Sequence, residues 1–206
     1  MSHTQLDTWA DNLVQQYWRP ALLTFMVGVP TLFILSRFVV GKRYPTASHI
    51  PPEVFERQVT IRGRVVSVGD SDNFRLYHTP GFGWGWARKI PTKRKDLQKQ
   101  TIAVRIAGVD APEGAHFGMP AQLYSKEAKA FLTKMVLDRT VSVKLLSRDQ
   151  YSRAVAMAYV RKPPFYIKKN VSMEMIKNGL ASLYVAKGAQ YDGLLNQFQK
   201  NEDRAK

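Results

Sequence analysis

The sequence predicts an α+β fold: a five-stranded OB-type β-barrel with three packed helices, preceded by a single N-terminal transmembrane helix. Three observations predict it. Five short runs of alternating, β-branched residues follow residue 57, amphipathic helical patterns lie between and after them, and an uncharged run stands near the amino terminus. The expected organisation is a tail over residues 1–20, a transmembrane anchor over 21–40, a linker over 41–56 and the barrel domain over 57–206.

The anchor rests on Ala21 to Ser36, which carries no charge, followed by Arg37 and then by Lys42 and Arg43. A span of about 20 residues is reached only if Arg37 snorkels to the interface. Tyr17 and Trp18 suit an aromatic belt, Lys42 and Arg43 the opposite flank, and Pro30 is tolerated better in lipid than in water. The more basic flank favours that side facing the cytosol or matrix. Two other readings stay open, a signal or transit segment and a buried core helix. Asp7 and Asp11, with no Lys or Arg before Arg19, argue against the first, and apolarity around the whole circumference against the second. Residues 44–56, with Pro45, Pro51 and Pro52, read as a linker.

The strand runs are Val59 to Val68, Phe74 to His78, Thr101 to Val109, Val141 to Leu146 and Ala154 to Val160. Ser125 to Leu137 places Ala128, Phe131, Leu132, Met135 and Val136 on one helical face. Val171 to Asn178 reads as a helix stopped by Gly179, and a last helix from about Tyr191 carries Leu194, Leu195 and Phe198 on one side. Pro80 to Gln100 is longer than a hairpin needs and mixes Trp84 and Trp86 with Arg88, Lys89, Lys93, Arg94, Lys95 and Lys99. Aromatics among cations suit stacking and phosphate attraction in single-stranded nucleic acid. A solvated basic loop with its tryptophans tucked onto the barrel, or one drawn to an anionic membrane, stays open beside that reading.

Lys and Arg number 31 against 16 Asp and Glu, giving a net charge of +15. The isoelectric point near 10.1 makes a polyanion, nucleic acid or an anionic membrane, the natural partner. No cysteine is present, which excludes disulfides, thiolate zinc and a cysteine nucleophile. Four histidines without H-x-x-x-H spacing argue against a histidine zinc site.

The scarce carboxylates gather at two strand ends. Asp70 and Asp72 lie in the turn after the first strand, Asp110 and Glu113 after the third. Oxygen donors converging from separate loops suit a hard divalent cation. Arg105 and Arg153 lie near those ends, and carboxylates beside arginines in a cationic chain suggest metal-assisted chemistry on a phosphodiester. Each fragment alone has an ordinary reading, because Asp in a turn commonly bonds only backbone.

In order, V-G-D-S-D-N-F-R-L, V-R-I-A-G-V-D-A-P-E, S-K-E-A-K-A-F-L, D-Q-Y-S-R and N-G-L-A resemble the staphylococcal nuclease, or thermonuclease-like, family over about Arg57 to Arg204. The amino-terminal apolar run and the insertion W-G-W-A-R-K-I-P-T-K-R-K make the chain similar to the membrane-anchored fungal branch of that family, named probable mitochondrial endonucleases. The resemblance implies that Asp72, Asp110 and the backbone carbonyl of Ala111 bind Ca2+. It also implies that Glu113 activates the attacking water, that Arg105 and Arg153 grip the phosphate, and that Tyr151 and Tyr184 flank the nucleotide. Trp84, Trp86, Lys93, Arg94 and Lys95 are the further substrate-binding candidates of the basic loop. Departures from the family pattern are Ser71 and Ser152 where glycine is usual, Asn73 where Thr or Ser is usual, and a chain end without a closing Trp-containing stretch.

The expected function is a membrane-anchored, Ca2+-dependent endonuclease of DNA or RNA, single-pass in the mitochondrion, with no protein partner. A catalytically inactive binding module, or an electrostatic nucleic-acid or membrane tether, is the alternative. Joint retention of Asp72, Arg105, Asp110, Glu113 and Arg153 argues against a module that only binds.

Overall fold

Strands in the computed structural model, which describes residues 16–18, 22, 24–32, 41–85, 88–115, 118–162, 164 and 167–206, follow the alternation of apolar side chains. They are β1 (Thr60–Asp70), β2 (Asn73–His78), β3 (Ile102–Ile106), β4 (Val109–Asp110), β5 (Thr140–Arg148), β6 (Ala154–Lys162), β7 (Ile167–Asn170) and β8 (Ser182–Leu183). The helices of this part are α1 (Pro52–Glu56), α2 (Arg94–Leu97), α3 (Ser125–Val136), α4 (Val171–Lys177) and α5 (Leu195–Ala205). In β1, Ile61 and Val65 point inward while Arg62 and Arg64 are exposed.

One sheet runs β3-β2-β1-β5-β6-β7, and a parallel pairing of β3 with β6 closes its first five strands into a barrel. Closure needs curvature. Register shifts at Val65/Ser67 and Val68/Asp70 in β1, and at Leu145/Ser147 in β5, supply bends of the kind bulges make. The apolar run Thr101 to Val109 does not stay one strand, because Gly108 turns it at φ +78° and sends β4 away to pair with β8. The interior holds Phe74, Leu76, Ile102, Val104, Leu145 and Met157, all fully buried. Each such side chain contributes about 1.5–3 kcal/mol by leaving water.

The helices seal the barrel. Helix α3 turns Ala128, Leu132, Met135 and Val136 into the core, with Phe131 half-buried beside them. Asn170 caps α4, its side chain accepting from the Met173 N–H at 3.0 Å. Gly179, at φ +65°, ends the same helix and lets the Leu180 N–H return to the Met175 carbonyl. The last helix begins at Leu195 rather than Tyr191, and its Phe198 is fully buried.

The structure corrects the amino-terminal expectation. Residues 1–41 form a separate unit from residues 42–206. Among the described residues no helix is long and apolar enough to cross a membrane. The transmembrane helix, the membrane as a partner through residues 21–40, and the single-pass mitochondrial placement that rested on them therefore do not hold. Residues 21, 23 and 33–40 of that expected segment lie outside the described residues.

The stretch read as a linker over residues 41–56 also differs from its reading. Ala47, Ile50 and Phe55 are buried in the core. Arg148 of β5 donates to the Ile50 carbonyl at 2.5 Å and lies over the Phe55 ring. The prolines here set the start of α1, at whose first position Pro52 stands, instead of marking free chain.

Candidate active site at the closing end of the barrel

Barrel closure juxtaposes the two arginines. In the parallel β3–β6 pair, Val104 faces Ala154 and Arg105 faces Val155, so Arg153, which immediately precedes β6, lies two positions before the residue paired with Arg105. Across the other edge of β3, Arg105 pairs with Asn73, next to Asp72.

Each guanidinium is held through its Nε by one carboxylate. Arg105 Nε donates to Asp72 Oδ2 at 3.1 Å, and Asn73 Nδ2 donates to Asp72 Oδ1 at 3.0 Å. Arg153 Nε donates to Asp149 Oδ2 at 2.6 Å, while Asp149 Oδ1 accepts from the backbone N–H groups of Arg153 at 2.8 Å and Tyr151 at 2.9 Å. The Tyr184 ring centre lies 4.9 Å from the Arg105 guanidinium carbon, and the Tyr151 ring centre 5.4 Å from that of Arg153. Among the described residues neither arginine spends an Nη group on protein. Two planar forks are thereby left to meet an oxyanion.

The acidic loops are tied together by Ser71, which is 1% exposed. Its hydroxyl donates to the Pro112 carbonyl and lies 3.4 Å from Asp70 Oδ1, which also accepts from the Ser71 N–H at 2.9 Å. A hydroxyl has one hydrogen, so the shorter contact to Pro112 receives it. The turn bearing Asp72 is thus joined to the loop bearing Asp110, Ala111 and Glu113. Asp110 is exposed in β4 and Ala111 is buried. Glu113 is exposed, with its backbone N–H bonded to Gln122 Oε1 and its carbonyl to the Gln122 N–H, both at 3.0 Å.

Among the described residues no group of three or more His, Asp or Glu side chains is arranged to hold a metal. The donor chemistry nevertheless fits a hard cation. Asp72 has one protein donor on each oxygen and lone pairs to spare, and a second carboxylate and a carbonyl stand on the loop that Ser71 ties to it. Such a set leaves much of the coordination shell to water and phosphate oxygens.

The basic loop divides. Trp84 is half-buried, its Nε1 donating to the Pro80 carbonyl at 2.8 Å, its ring edge-on to Tyr77 and under the Arg88 guanidinium. Its polar and aromatic faces are spent on protein. Trp86 lies outside the described residues. Lys93 is exposed at the N-cap of α2, whereas Arg94 and Lys95 line a cavity that extends toward Tyr151 and Ser152.

Neither Asp149 nor Gln122 is among the site residues the sequence points to, and Asn73 enters there only as a departure from the family pattern. Asp149 had a usable signal, since an aspartate opening a tight turn four residues before an arginine can bond the turn amides and the guanidinium together. The Ser71 contact had none, because it joins residues 41 positions apart.

Residues 103–206 match the family model described as Staphylococcal nuclease homologue. That stretch holds Arg105, Asp110, Glu113 and Arg153. A protein of Colletotrichum graminicola named as a probable endonuclease is 46% identical over 193 residues, covering 91% of this chain and 68% of that protein. A Debaryomyces hansenii protein of the same name is 46% identical over 195 residues, covering 91% of the chain and 82% of itself. One of Podospora anserina is 51% identical over 156 residues, of which the chain spans 56% of the relative's length. With this likeness extending over most of its length, and the motifs standing on a closed five-stranded barrel, the chain belongs to the staphylococcal nuclease homologue family.

Proposed function

We propose that this protein, a phosphodiester hydrolase, is an endonuclease that cleaves DNA or RNA with water as the nucleophile. The observation that carries the reading is that β3–β6 closure brings both arginines to one end of the barrel, each anchored through Nε with, among the described residues, its Nη groups unspent. A phosphodiester is an anion that repels an incoming oxygen, and two forked guanidiniums offset that charge as it grows at phosphorus. Asp72 and Asp110, with the Ala111 carbonyl, would hold a Ca2+, which when bound neutralises phosphate oxygens. Glu113 accepts the proton from the attacking water, its backbone held on both sides by Gln122. Tyr151 and Tyr184 flank the arginines and offer ring faces to the nucleotide.

Plasmid nicking by the full chain tests this. Cleavage is expected with Ca2+ and not in excess EDTA, and Glu113→Gln or Arg153→Ala should lower turnover by at least about 100-fold. Equal nicking in EDTA would remove the metal from the reading. Undiminished turnover by both variants would remove the site.

A further inference from the structure

Two cavities meet at Tyr151. One, of about 340 Å³, has Arg153 and Asn73 in its wall and so belongs to the arginine site. The other, of about 1150 Å³, is lined by Arg75, Arg94, Lys95 and Lys99 among others. The two share Ser67, Arg75, Ala103 and Tyr151, so they are continuous along the outer face of β1, β2 and β3. Among the described residues no Asp or Glu lines either cavity, and none of Arg75, Arg94, Lys95 and Lys99 has an ion-pair partner. Tyr151, 71% exposed, stands at the junction.

We propose that these cavities form one track for a single-stranded nucleic acid, which runs from Arg153 past Tyr151 and Arg75 to Lys99, Lys95 and Arg94. Four unpaired cations along one concavity repel one another, and a chain of phosphates relieves that repulsion while releasing its own counterions. A ring as exposed as Tyr151 accepts the face of a base only when the base is free to leave its partner strand, which selects single strands over duplex. A concave wall also suits a strand better than it suits a planar lipid surface. The track explains why the basic insertion sits on the barrel: it extends the grip beyond the reacting phosphate, at the scale of about four or more nucleotides per OB fold. The proposal rests on the assignment of Arg153 to the substrate phosphate.

The test uses the full chain in EDTA, with labelled thymidylate dinucleotide and dodecanucleotide, the dodecamer duplex, and vesicles containing phosphatidylserine, each titrated over a range of salt. The dodecanucleotide is expected to bind more tightly than the dinucleotide and the duplex. Arg75→Gln combined with Lys99→Gln should reduce that length advantage about tenfold and lower the salt slope by about 1.4, at roughly 0.7 for each phosphate no longer neutralised. Both side chains are exposed, so the double variant is expected to melt with the unsubstituted chain. Tyr151→Ala should weaken the single strand more than the duplex. An unaltered salt slope in the double variant would overturn the track, as would retention on vesicles without binding of the dodecanucleotide. Ca2+-dependent cleavage without any length advantage overturns the track and leaves the nuclease reading standing. Length-dependent binding without cleavage supports the track and removes the nuclease reading.

Discussion

Arg153 owes its aim to Asp149, which holds its Nε and two turn amides at once. Asp149→Asn keeps an oxygen for the amides but loses the charge that orients the guanidinium. It should lower kcat about 10- to 100-fold with KM nearly unmoved, whereas Arg153→Ala should lower kcat further and leave nothing for Asp149→Asn to add. Steady-state kinetics of both single variants and the double variant check this. Additive losses would mean that Asp149 does not act through Arg153. The same turn carries a backbone cost. Ser152 sits at φ +58°, where a side chain with a Cβ is disfavoured by about 1–2 kcal/mol. Ser152→Gly removes that strain but gives the unfolded chain more freedom, so the net gain should be at most about 1 kcal/mol. Urea unfolding measures it, and a loss of stability would show that the Ser152 side chain contributes more than its strain costs.

At the level of elements, the carboxy-terminal helix holds the turn that redirects the third strand. Phe198 of α5 is fully buried, and a Cβ built on Gly108 would stand 2.9 Å from its ring, so ring and glycine are fitted to each other. Glu202 of the same helix accepts the Leu183 N–H at 2.9 Å, which ties β8 to α5, and that bond holds the Glu202 carboxyl below its usual range. Since β8 pairs with the strand that carries Asp110, α5 supports the acidic loop from behind. Phe198→Ala should cost about 3–5 kcal/mol. Thermal melting is expected to show a fall of about 6–20 degrees, and a variant that melts with the unsubstituted chain would mean α5 packs through other contacts. Phe198 fills the position between Gly108 and Tyr191.

In the unit of residues 42–206, buried His78 makes stability depend on pH. His78 is 3% exposed and its Nδ1 accepts the Tyr44 N–H at 2.9 Å, with the Tyr44 ring stacked on it. Burial, and secondarily the Arg43 charge, lower its pKa from 6.5 to about 4. The folded chain therefore refuses a proton that the unfolded chain takes. This contribution is fully present above pH 6.5 and is lost as pH falls from 6.5 toward 4, a change on the order of 3 kcal/mol. Urea unfolding at a series of pH values should show the fall, and His78→Gln should flatten it over that window. A variant with the same slope would assign the acid sensitivity to other groups.

Sequence periodicity alone determined the five barrel-strand runs, apart from the turn at Gly108, and the helical face of Ala128, Leu132 and Met135, because side-chain alternation and the 3.6-residue repeat are local properties. The composition likewise excluded cysteine chemistry and pointed to a polyanion. Tertiary structure alone decided the rest. The pairing of β3 with β6 brings Arg105 and Arg153 to the same end of the barrel although 48 positions separate them, and the Ser71 bond joins two acidic loops. Three prolines looked like a linker, yet Ala47, Ile50 and Phe55 found apolar partners and are buried. An apolar run looked like a membrane span, yet among the described residues no helix is long and apolar enough to cross one. Hydropathy reports what a segment prefers to leave, which is water. Where it goes depends on the partners that tertiary structure supplies, as for Ala47, Ile50 and Phe55.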